Sequence, residues 1–262
     1  AVATGYRLVN AGISGAQVAA VLAGTFGATG QPVEKDGTWT VGAPGSSTLT
    51  VRDDPLFSWN YEAPATLATP AAGQQIDPAR ASELTSALLG SIGVDTGSVD
   101  WQVARYFDRT AVTAWQLVNG QRTQLSWLVA FDPSGDVAQA SGFSAGLEAV
   151  PGYPVVGAAT AVARAASTPW TALGPSPVSG PDAFPSASPS PSATAVPARP
   201  GLTVPLSNVT VTAAELGLAQ YWQPDGSVLM LPAYTLTGED GSRWAVLAVD
   251  EGSVRFVDQP YP

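Results

Sequence analysis

Residues 175–200 hold eight Pro and six Ser in 26 positions. Such a stretch cannot bury enough apolar surface to offset the entropy of ordering it, so it predicts an extended, polyproline-like spacer or surface strap. A globular chain of 262 residues must therefore be built on either side of it. We read a helix-plus-antiparallel-sheet domain over 1–170, divisible at 1–75 and 76–170. A Pro/Ser-rich linker follows over 171–201, then a small antiparallel β unit over 202–262. The tail alone would have a marginal core and is expected to dock on the first domain.

The absent residue types exclude most chemistry. The chain has no His, no Cys and a single lysine, Lys35. Without imidazole it lacks the one side chain that ordinarily changes charge between pH 5 and 8, which removes Ser-His-Asp and Cys-His mechanisms. Without His or Cys there is no zinc, copper or iron–sulfur site of ordinary type. Lys35 follows Pro32-Val33-Glu34 and fits no phosphate-binding loop. We expect no metal and no cofactor. A net charge of −10 argues against a nucleic-acid partner. No run of apolar residues is long enough to cross a membrane as a helix. The opening Ala1-Val2-Ala3 lacks Met and a charged leader, which suggests either a cut-down chain or a mature product, with any signal or anchor removed.

Local signals alternate helix and strand. A short strand at Tyr6-Arg7-Leu8-Val9 precedes Ser14, which should cap a helix carrying Gln17, Val18, Val21 and Leu22. Asp36-Gly37 divides two strand-like runs, and 48–52 alternates with period two. Asp77 as N-cap, with Pro78 at the first helical position, opens a helix ending near Gly90. Strands over 101–107, 112–118, 125–131 and 137–143 follow, with Asn119-Gly120 as a hairpin turn. Pro154 should begin an Ala-rich helix to Ala166. Beyond the linker, strands are expected over 209–212, 216–222, 228–236 and 244–249, with 254–257 closing. Trp115-Gln116-Leu117 through Val137 is echoed by Tyr234-Thr235-Leu236 through Val254, either a duplicated sheet unit or two similar meanders.

Three motifs invite a catalytic reading. Gly142-Phe143-Ser144-Ala145-Gly146 spells a nucleophile elbow, but the chain has no His to take the serine proton. Val94-Asp95-Thr96-Gly97-Ser98 resembles the aspartic-protease signature, whose two carboxylates share a proton. No second Asp-Thr/Ser-Gly follows, so Asp95 reads first as a polar turn residue. Asp53-Asp54 precedes Trp59 and Tyr61 and invites a calcium or glycosidase site. A third acid is lacking, and the aromatics alternate as core residues of a strand would. Trp101, Trp115, Trp127, Trp170, Trp222 and Trp244 mostly fall in strand runs, as core or cross-strand pairs. Asn208-Val209-Thr210 is formally a glycosylation acceptor.

The helix over 81–89 feeds strands across 101–143, including the run Leu128-Val129-Ala130-Phe131-Asp132-Pro133-Ser134-Gly135-Asp136-Val137. This arrangement resembles PepSY-type and YycH-like extracytoplasmic domains. The resemblance implies an α+β module of an envelope protein with an inhibitory or regulatory binding role, and it assigns no catalytic residue. The reading is an α+β fold: antiparallel sheets with two or three packed helices, then a small all-β unit. The expected function is non-catalytic recognition of a protein or cell-wall component by an exported, membrane- or lipid-anchored chain. The alternatives are a carboxylate-only hydrolase, through Asp95 or a glycosidase pair, and a spacer without a ligand.

Overall fold

The computed structural model describes residues 1–10, 12–43, 45–64, 76–106, 109–166, 170–172 and 210–255. The Pro/Ser-rich stretch 175–200, Asn208 and residues 256–257 lie outside the described residues. The fold is α+β, with antiparallel sheets and three helices.

Strand β1 (Val2–Val9) leads to α1 (Gly15–Phe26). The turn of the chain into α1 is set by a capping box: the Gln17 N–H donates to Ser14 Oγ at 3.3 Å, and the Ser14 N–H donates to Gln17 Oε1 at 2.9 Å. Next come β2 (Val33–Lys35), β3 (Thr38–Val41), β4 (Thr48–Arg52) and β5 (Trp59–Glu62). Helix α2 (Pro78–Ser91) is capped by Asp77, which accepts from the N–H groups of Ala79 and Arg80. It is followed by β6 (Val99–Tyr106), β7 (Arg109–Val118), β8 (Gln121–Phe131) and β9 (Val137–Gly142). Asn119 and Gly120 take φ of 51° and 74°, the left-handed pair that matches the twist of a two-residue hairpin.

A helix followed by a four-stranded meander thus occurs twice in succession. The two meanders join into one eight-stranded sheet in the order β2-β3-β4-β5-β9-β8-β7-β6, a palindrome of the two units. The seam is the antiparallel β5–β9 pairing, from Trp59 opposite Gly142 to Glu62 opposite Gln139. Helices α1 and α2 pack on the sheet. Alternation directs Leu49, Val51, Trp59, Tyr61, Leu125, Trp127, Val129 and Ala140 into the core. Phe26 of α1 stacks on Tyr61 at 4.8 Å and lies tilted to Trp59 at 5.4 Å.

The remaining elements are β10 (Gly146–Pro154), α3 (Ala158–Arg164), β11 (Thr171–Ala172), β12 (Val211–Trp222), β13 (Val228–Gly238), β14 (Arg243–Leu247) and a 3₁₀ turn (Glu251–Ser253). They form a six-stranded sheet with β1. β12 covers one side of β13 along its length. On the other side β14 pairs only with Ala233–Thr237, and β1 takes the vacant edge, with Tyr6 opposite Met230 and Arg7 opposite Leu229. β10 flanks β1 in turn. β1 and β10 therefore share a sheet with the strands of the tail, because an 11-residue strand beside a five-residue one leaves edge groups that must pair. Leu218, Val228 and Met230 enter the same core as Leu8 and the eight-stranded sheet. A second core gathers Ala161, Trp170, Leu231, Leu236, Val246, Leu247 and Val249.

Four local expectations change. Pro154 ends a strand and does not start a helix, which begins at Ala158. Residues 146–154, unassigned from sequence, form β10. The expected strands over 209–212 and 216–222 run together as β12 from Val211. Val254 follows a 3₁₀ turn, and neither it nor residue 255 belongs to a strand, so the echo of β7 and β8 extends to β13 and β14 only among the described residues.

Candidate functional site

The catalytic candidates from the sequence serve the backbone. Asp95 lies between α2 and β6, where Gly97 N–H donates to its Oδ1 at 3.1 Å and Ser98 Oγ donates to Oδ2 at 2.7 Å. The Ser98 hydroxyl first, then the Gly97 amide, hold its carboxyl below the usual Asp value. A proton-sharing dyad needs a second carboxyl facing the first, and no acid is among the groups that act on Asp95. Asp225 and Asp240 repeat the device with Ser227 and Ser242, and both are lowered for the same cause. Asp132 accepts from the Ser134 and Asp136 N–H groups in the β8–β9 turn. Asp54 accepts from the N–H groups of Leu56 and Ser58, both at 3.0 Å, and from the Ser58 hydroxyl. Among the described residues no cluster of three or more acids could hold a metal ion.

Ser144 links β9 to β10, two strands, whereas a nucleophile elbow joins strand to helix. Its N–H and that of Ala145 both donate to Leu56 O at 3.0 Å. Trp59 and Tyr61 are core residues, as their alternation implied. Trp127 is buried against Phe143, with centroids at 4.4 Å and its Nε1 donating to Phe143 O. Trp115 and Trp170 are covered by guanidinium groups, those of Arg122 at 3.9 Å and Arg164 at 3.6 Å. Only Trp222, 47% exposed, is an open large aromatic among the described residues.

One candidate site was not marked by any motif. A cleft of about 380 Å³ lies over the seam of the eight-stranded sheet. Its walls include Thr50 and Arg52 of β4, Asn60 of β5, Gln124 and Ser126 of β8, and Ser141 of β9. Alternation puts these residues on the side opposite Leu49, Val51, Trp59, Tyr61, Leu125, Trp127 and Ala140, which enter the core. Register aligns Thr50, Asn60 and Ser141 in one row across three strands. Both meanders are needed to build it, two strands coming from each.

The groups of the cleft are unequally committed. Thr50 Oγ1 donates to Asn60 O at 3.4 Å, and Asn60 Nδ2 donates to Glu62 Oε1 at 3.4 Å. Gln124 Oε1 accepts from Gln220 N–H of β12 at 3.1 Å, which fixes the amide. Its Nε2 is buried with no hydrogen-bond partner. The exposed Arg52 is in none of the three ion pairs among the described residues. Beside the cleft, Arg122 stands 3.6 Å from Asp100. Burial lowers its guanidinium pKa, and the Asp100 charge opposes that shift.

No family model matches the chain, and no curated protein matches it. The solved structures with some similarity to this chain include two. One is the Bacillus megaterium YpeB C-terminal domain, at 14% identity and a TM-score of 0.40, covering 90% of this chain and 93% of that one. The other is an uncharacterized protein from Eubacterium rectale, at 8% identity and a TM-score of 0.49, covering 97% of this chain and 85% of that one.

Proposed function

We propose that this chain is a non-catalytic binding or regulatory module, and that the open face of its eight-stranded sheet is where it binds. The reading rests on one observation: around the cleft over the β5–β9 seam stand donor groups that the fold leaves unused, the exposed Arg52 and the buried Nε2 of Gln124 foremost. The acids at Asp54, Asp95, Asp132, Asp225 and Asp240 are spent on turns instead. In this reading the chain is exported, held at the cell envelope by a membrane or lipid anchor, and recognises a protein or cell-wall component. The Pro- and Ser-rich stretch supports that placement, since such tracts commonly separate extracytoplasmic modules.

Catalysis is the test. The full chain and an Asp95→Asn variant are incubated with labelled casein and with chromogenic glycosides across acidic to neutral pH. No turnover above a heat-denatured control is expected. Turnover by the parent that disappears in Asp95→Asn, or any glycoside cleavage, would replace this reading with a carboxylate hydrolase.

A further inference from the structure

Resting on the binding reading, the balance of donors and acceptors in the cleft narrows the ligand. The unused groups are mainly donors: the Arg52 guanidinium, the buried Nε2 of Gln124, and the hydroxyls of Ser126 and Ser141. Of the nearby acids, Asp54 is saturated by two backbone N–H groups and the Ser58 hydroxyl, and Glu62 accepts from Asn60 Nδ2. A sugar would need an open aromatic to stack on. The aromatics at this cleft, Trp59 and Phe143, are only 3% and 6% exposed.

We infer that this cleft is a carboxylate site, with Arg52 as its charged anchor and Gln124 as its fixed amide donor. A guanidinium pairs with a carboxylate through two parallel N–H···O bonds. The Gln220–Gln124 bond sets which end of the amide is left to donate, and since that Nε2 is buried, neighbouring side chains must shift for a carboxylate to reach it. The volume of about 380 Å³ lies near the lower end for small-molecule sites and accommodates a short carboxylate-bearing group. The carboxylate can come from a peptide C-terminus or from an Asp or Glu side chain.

Three probes separate these cases in ¹⁵N-resolved NMR titrations of the full chain: N-acetyl-alanyl-alanine with a free carboxylate, the same dipeptide as its C-terminal amide, and N-acetyl-alanyl-glutamyl-alanine amide. At least one carboxylate probe should shift the amides of Thr50, Asn60, Gln124 and Ser141, and the neutral dipeptide should bind about tenfold more weakly or not at all. Whichever carboxylate probe binds more tightly names the source. Arg52→Gln should weaken that probe about tenfold, and Arg52→Lys should fall between, keeping the charge but not the fork. Lys35→Gln, which removes a cation of β2 outside the cleft, should change nothing. Arg52 is exposed, so both of its variants should melt with the parent. Equal binding of acid and amide, or an Arg52→Gln variant that binds like the parent, would overturn the carboxylate assignment and leave the binding reading standing. Absence of any shift up to about 10 mM probe would also overturn it. Enzymatic turnover in the casein and glycoside assays would remove the binding reading itself.

Discussion

Arg164 offers a quantitative test of how α3 is fastened to the six-stranded sheet. Its side chain is only 6% exposed, its Nη1 donates to Leu247 O at 3.1 Å and to Val249 O at 2.7 Å, and its guanidinium lies over Trp170. Its Nη2 is 3.9 Å from Glu251, whose side chain is 77% exposed. Arg164→Met keeps most of the stem and orphans two carbonyls, each worth about 1–3 kcal/mol when buried. Losing the contact with Trp170 adds about 0.5–2 kcal/mol. Against this, the variant no longer desolvates a charge, a gain of a few kcal/mol that the unpartnered Nε makes larger. The net expectation is a loss of about 2–4 kcal/mol, read as a fall in Tm of about 5–12 °C by calorimetry. Arg164→Lys should lose less, since an ammonium can still reach one carbonyl. Glu251→Gln should stay within about 0.5 kcal/mol of the parent, because an exposed partner at that distance contributes little. If Glu251→Gln costs as much as Arg164→Met, the ion pair and not the carbonyl bonds holds α3, and the reasoning fails.

Two further outcomes follow from the structure. Gly142→Ala should destabilise by about 1–3 kcal/mol or more, since a Cβ there would sit 2.2 Å from Trp127 Cδ1 and 2.9 Å from Trp59 Cζ2. Gly146→Ala, which meets nothing closer than 3.7 Å, is the control, and equal urea midpoints for the two would refute the packing argument. Asp95, Asp225 and Asp240 have pKa values below the usual 3.8, so the stability they contribute is present above that value and is lost as pH falls through the lowered ones. Replacing all three by Asn should flatten the decline of the urea midpoint between about pH 5 and pH 3, and unchanged slopes would contradict it.

Features written in adjacent residues were legible. Ser14 with Gln17, Asp77 with Pro78, and Asn119 with Gly120 each act through their own backbone, so identity and spacing suffice. β10 escaped because Pro151, Gly152 and Pro154 break any strand pattern, yet it pairs only with β1 and tolerates proline as an edge strand does. β1 was read from Tyr6 and not from Val2, since Ala3, Thr4 and Gly5 carry no strand signal without β10 beside them. The cleft was illegible for a different reason. Thr50, Arg52, Asn60, Ser126 and Ser141 each look like the wetted side of a strand, and nothing local states that β5 lies against β9 across some 80 residues. Gly142, noted for a serine motif, proves to be where two indoles pass the backbone.

The pairing of β1 with β13 orders the chain in time. Emerging from a ribosome or a secretion channel, Tyr6 and Arg7 must wait more than two hundred residues for Leu229 and Met230. Until then the β1–β10 ribbon has an unfilled side, and Leu8 lacks the covering of Val228 and Met230. A fragment stopped before Val211 would carry that raw edge permanently and would be expected to self-associate. This sheet is thus completed only when β12 to β14 have been made, and a chaperone guarding it would have to hold β1 until then.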